Sequence, residues 1–146
     1  MKKKYKLTEE TKEWCGHTLH RIEALKDFGD VKAGDKGGWI EKEENLSHQG
    51  DAWVYGSAWV YGDACVSDSA RVSDSADYIV FKNWWSSGRY FTWTRSNNMW
   101  RVGCFYGTGE ELIKKAYADS EKSGREYERV VKYVESILAD EKENKE

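Results

Sequence analysis

The chain has 146 residues, a formal net charge of −3, and 14% aromatic residues including eight Trp and nine Tyr. That length suits one compact unit or two small ones sharing a core, and the charge gives no overall pull toward nucleic acid. No run of about 18 apolar residues is present, so no transmembrane helix is expected, and MKKKYKLTEETKE lacks the hydrophobic stretch of a secretory signal. Cys15, Cys65 and Cys104 are odd in number, widely spaced and without a CxxC. They argue against disulfides or a zinc site and for a reducing cytoplasm.

Residues 1–30 read as an N-terminal β cap, in which Leu19, Ile22 and Leu25 suit a strand or hairpin bracketed by Gly16 and Gly29. Residues 31–76 follow a six-residue phase, clearest in DAWVYG-SAWVYG-DACVSD-SARVSD-SA. Ala recurs at 52, 58, 64, 70 and 76, and Val at 54, 60, 66 and 72, with Ile40 and Leu46 in phase ahead of them. Two apolar residues flanking one outward position describe a very short strand. Gly or Asp two residues after each Val then supplies the turn. This period is the signature of the hexapeptide left-handed parallel β-helix. Trp39 and the Gly37-Gly38 pair are expected to close its open end.

Residues 77–146 are expected to form an antiparallel meander plus two helices. Strands are expected over 77–82, 89–95 and 98–104, turned at Ser86-Ser87-Gly88 and Ser96-Asn97-Asn98. Thr108 with Glu111, and Ser123 with Glu126, have capping-box spacing. Tyr127, Val130, Val131, Val134, Ile137 and Leu138 form an apolar helical stripe, after which the charged tail DEKENKE is expected to fray. The expected fold is therefore mainly β with α: a short left-handed parallel β-helix capped by a small antiparallel sheet and two C-terminal helices.

The segments HRIEALKDFGDVKAGDKGGWIEKEENLSHQGDAWVYG and DYIVFKNWWSSGRYFTWTRSNNMWRVGCFYGTGEELIKKAYADSEKSGREYE resemble small hexapeptide-repeat proteins of phages and prophages in Gram-positive gut bacteria. The resemblance covers nearly the whole chain. It implies a phage origin and a place in the host bacterial cytoplasm, and it brings no catalytic residue with it. By genomic analogy, it suggests a counter to bacterial immunity.

Hexapeptide acyltransferases use a catalytic histidine. Here only His48 lies in the repeat, without a distinctive partner carboxylate, and two coils offer little wall for a pantetheine arm. No enzyme activity and no cofactor are expected. Asp51, Asp63, Asp68 and Asp74 recur at hexad corners and read as turn formers rather than metal ligands. Trp53, Tyr55, Trp59 and Tyr61 occupy outward positions and suggest an oligomer or partner surface.

The strongest constellation lies in the meander. Arg89, Phe91, Trp93 and Arg95 share one strand face, preceded by Trp84 and Trp85 and followed by Trp100 and Arg101. Since both faces of that strand are not expected to be buried, some of these residues should serve a ligand. Aromatic planes beside guanidinium groups suit a base and its phosphate. The expected function is non-catalytic capture of a host nucleotide immune signal by a homo-oligomer, with neither membrane nor long nucleic acid as partner. Blocking of a host defence protein, such as a CRISPR complex, and a structural phage role are the alternatives.

Overall fold

The alternation in YKLTEETKEW and HTLHRIEA builds a hairpin of β1 (Tyr5–Trp14) and β2 (His17–Ala24), turned at Cys15-Gly16, where both residues have positive φ. This computed structural model describes residues 3–144. Leu19, Ile22 and Ala24 point inward from β2, and β3 (Lys36–Ile40) pairs antiparallel along it.

The repeat follows. β4 (Trp53–Val54), β5 (Trp59–Val60) and β6 (Arg71–Val72) each have two residues. β5 lies parallel to β3, with Trp39 opposite Trp59, and β6 lies parallel to β4, with Trp53 opposite Arg71. Leu46 and Val66 meet in one further parallel bridge. Ile40, Leu46, the Ala of 52, 58, 64 and 70, and the Val of 54, 60, 66 and 72 are all buried, as their spacing predicts. Gly56, Gly62 and Asp68 turn the corners with positive φ.

The expected left-handed parallel β-helix is nevertheless corrected. The strands form mixed sheets: a four-stranded sheet β1-β2-β3-β5, a two-stranded parallel sheet β4-β6, and a separate four-stranded antiparallel sheet. Parallel pairing is confined to two-residue ladders and single bridges. The physical reason lies in the hydrogen bonds. Glu43–Asn45 tightens into a 3-10 turn instead of extending, and the N-terminal hairpin extends the β3–β5 pair on the other edge of β3 with long antiparallel strands.

The antiparallel sheet comprises β7 (Tyr78–Lys82), β8 (Tyr90–Thr94), β9 (Met99–Val102) and β10 (Phe105–Gly107), in that spatial order. The fourth strand was not legible in the sequence; it follows a turn at Gly103, whose φ is 57. Thr108 and Glu111 form the expected reciprocal cap on α1 (Gly109–Asp119). Ser123 and Glu126 do not cap α2 (Glu121–Asn144), which starts two residues before Ser123. Ser123 instead accepts the Trp85 indole N–H at 3.1 Å. The part of the expected fraying tail up to Asn144 is helical, and residues 145 and 146 lie outside the described residues.

Three layers result: repeat region, sheet, helices. β7 alternates between two cores, with Tyr78 and Val80 packed on the repeat cluster and Ile79 and Phe81 on the helix cluster. On β8, Phe91 and Trp93 are buried in the helix-side cluster, while Thr92 and Thr94 of the opposite face are buried as well. The Cys65 amide donates to the Thr92 hydroxyl at 3.1 Å, and the Tyr78 hydroxyl donates to the Trp59 carbonyl at 2.9 Å. This polar seam covers the second face, so the expectation that one face of this strand stays open is corrected.

Candidate functional site

The eight residues expected to hold a nucleotide are dispersed. Phe91, Trp93 and Trp100 are core residues under α2. The Trp93 indole donates to Asn98 Oδ1 at 2.7 Å. Trp85 is half-buried, edge-on to Tyr127 at 5.0 Å. Arg95 donates to the Ala76 carbonyl and pairs with Glu141 and Asp77, and Arg101 donates to the Gly103 carbonyl and to Ser67 Oγ. Trp84 and Arg89 are exposed. No single pocket gathers the eight.

The four outward aromatics of the repeat are covered to different degrees by the same chain. Trp53 is buried between Tyr5 and Phe28, at centroid distances of 6.3 and 5.2 Å. Tyr55 is half-buried and donates its hydroxyl to Asp30 at 2.9 Å. Trp59 meets Trp14 at 5.1 Å and lies beneath the Lys12 ammonium, while Tyr61 lies 5.0 Å from the His17 ring. The N-terminal hairpin thus supplies much of the cover.

Between that hairpin, the repeat and β7 lies a groove of about 640 Å³, lined by Trp14, Trp59, Tyr61 and Tyr78 together with Ser57, Ser73 and Asp74. A neighbouring hollow of about 300 Å³ shares Tyr61, Tyr78 and Val80 and adds His17, Asp63 and Tyr90. These sizes fall in the range of small-molecule sites, and such aromatic walls suit them. Trp14 is 43% exposed and is the most open part of the aromatic wall.

His17 gives this hollow its chemistry. Its Nδ1 lies 2.7 Å from Glu41 Oε2, and Glu41 Oε1 accepts the Gly62 amide at 2.8 Å. These two bonds hold the Glu41 carboxyl below its ordinary pKa, the His17 bond being the larger cause. An ionised carboxylate on Nδ1 selects the tautomer with its proton there and leaves a lone pair on Nε2. Among the described residues Nε2 has no hydrogen-bond partner. His48 differs, because its Nδ1 accepts the Lys4 amide, its Nε2 donates to Glu43, and its ring stacks on Tyr5. It is a structural residue. His17 and Glu41 stand far apart in sequence, and only the β2–β3 pairing brings them together, so no local spacing announces them.

No family model matches the chain. Over 61 residues the chain is 38% identical to YdcK, an uncharacterized acetyltransferase of Escherichia coli (strain K12), a match covering 36% of this chain. The match spans 19% of that protein's length. This likeness is compatible with a hexapeptide-repeat protein, and it lends no support to a phage origin or a gut host. It also corrects the expectation that the chain is no enzyme, because it points toward an acyltransferase. Among the described residues, no helix is long and apolar enough to cross a membrane.

Proposed function

We propose that the protein carries out acyl transfer to an acceptor seated in the aromatic groove, with His17 as general base. The observation that carries this reading is the His17–Glu41 pair, with Nε2 unpartnered in a residue that lines the groove. In this mechanism Nε2 takes the proton of an acceptor hydroxyl or amine as that atom attacks the carbonyl of an acyl thioester. The thiolate leaves and takes the proton back from the imidazolium, so charge and protons balance. Glu41 holds the ring and stabilises its charged form. The partial likeness to an acetyltransferase supports the same chemistry.

The test is release of free thiol from acetyl-coenzyme A across a panel of amine and hydroxyl acceptors. His17→Gln should lower the rate by about 100-fold or more, the usual contribution of a general base. Glu41→Gln should lower it less, with the fold intact by circular dichroism. Thiol release that survives His17→Gln, or none with any acceptor, overturns the reading. Nucleotide capture is a second reading. Its support is no longer the buried meander face but the exposed hairpin described next.

A further inference from the structure

The hairpin between β7 and β8 carries an unusual surface. Trp84 is 66% exposed and Tyr90 is 45% exposed. The Asn83 amide donates to the Arg89 carbonyl at 2.8 Å, and Lys82 pairs with Tyr90 in the strand register. Lys82, Trp84, Arg89 and Tyr90 therefore flank one narrow hairpin base. α2 adds a third cation, Lys122, whose ammonium stands 5.0 Å from the Trp84 ring, while that of Lys82 stands 5.8 Å from Tyr90.

Most basic side chains of this acidic protein sit beside carboxylates, including Lys115 with Asp119 and Arg125 with Glu121 at the neighbouring helix ends. Lys82, Arg89 and Lys122 have no ion-pair partner among the described residues. Three uncompensated cations beside two open aromatic rings, in a chain of net charge −3, form a local positive field that water alone solvates.

We infer that this hairpin binds a free nucleotide, its base stacked on Trp84 or Tyr90 and its phosphates held by Arg89, Lys82 and Lys122. A base needs a π-face and a phosphate needs forked or mobile cations, and both lie within this patch. A nucleoside lacks the charge, and inorganic phosphate lacks the stacking face, so each alone should bind much more weakly. The inference is independent of the acyl-transfer reading, since His17 and Glu41 take no part in it.

Isothermal titration with ADP, adenosine, inorganic phosphate and an eight-residue oligo-dA tests it. ADP should bind at least tenfold more tightly than adenosine or phosphate. Trp84→Ala should weaken ADP binding by about 5- to 150-fold at every salt concentration, the range of one lost stacking contact. Arg89→Ala should weaken it more at low salt than at high salt, because salt already screens the lost attraction. His17→Gln should bind ADP like wild type. Both altered residues are exposed, so their folds should persist, and thermal melting of each variant checks this. Absence of ADP binding at millimolar concentration overturns the inference, as does undiminished binding by both variants. Binding of the oligonucleotide more than 100-fold tighter than ADP overturns it in favour of a single strand.

Discussion

Asn45 uses its whole amide in the core of the repeat region. Its Oδ1 accepts the Glu41 and Lys42 amides, and its Nδ2 donates to the Gly62 and Ala64 carbonyls, at 2.9–3.1 Å. Those bonds tie the 3-10 turn to the next hexads, close to where Gly62 also holds Glu41. Asn45→Leu should strand backbone groups away from water and cost at least about 2 kcal/mol, measured by urea unfolding. An unchanged midpoint would show that water replaces the amide there. Lys4 poses a charged version of the same problem. It is buried, donates to the Ala52 and Gly50 carbonyls at 2.6 and 3.3 Å, and burial lowers its pKa from 10.5 to about 8. Between about pH 8 and 10.5 the unfolded chain holds a proton that the folded chain has lost, so stability should rise with pH across that window. Above about 10 the trend reverses, because burial raises Tyr5 and pushes Tyr78 up to about 12, and the unfolded tyrosines ionise first. Unfolding midpoints from pH 7 to 11 should therefore peak near 9–10, with a rise of about 1–3 kcal/mol. Lys4→Met should remove the rise and keep the fall; a peak that persists in that variant assigns it to other groups.

At the level of single elements, β3 depends on its glycines. A Cβ on Gly38 would stand 2.6 Å from the Ala58 carbonyl oxygen, and one on Gly37 2.6 Å from that of Val54. The pair lets β3 approach the repeat strands closely enough to place Trp39 opposite Trp59. Gly38→Ala should force backbone apart and cost about 1–3 kcal/mol, as overpacking does. Because Glu41 follows β3 directly, the same change should disturb the His17 pair, read as a shift of the His17 ring resonances by NMR. Unshifted resonances in a destabilised variant would show that the pair is held from β2 alone. In α1, Thr108 accepts the Glu111 amide and Glu111 accepts that of Thr108. Thr108→Ala should cost about 1 kcal/mol in thermal or denaturant unfolding.

Across the whole molecule, β7 is the common wall of two hydrophobic cores. Tyr78 and Val80 complete the repeat cluster, and Ile79 and Phe81 complete the cluster under the helices. Neither core can lose β7 without exposing the other, so the layers should unfold together. Trp53 sits in the first cluster and Trp93 and Trp100 in the second. Tryptophan fluorescence and far-ultraviolet circular dichroism should therefore give one coincident transition in urea. Two separated transitions would mean that the repeat region and the sheet–helix unit fold independently.

The Ala and Val phase determined which repeat residues are buried, because a turn every sixth residue returns the same positions to one interior. The Thr108–Glu111 cap and the Val131–Val134 stripe were likewise legible, since helix signals act over three or four residues. Short range also explains what was missed. Two-residue strands carry too few hydrogen bonds to dictate their neighbours, so pairing to a distant hairpin decided the sheets and overturned the expected β-helix. The alternation in RYFTWTR correctly separated two faces but could not say what lies against each. Tertiary packing covered one with helices and the other with Cys65 and the repeat, leaving only Trp84 and Arg89 of the expected ligand residues exposed. His17 and Glu41 show the same limit most plainly. Their pairing is a contact between strands, and only the folded sheet sets that distance.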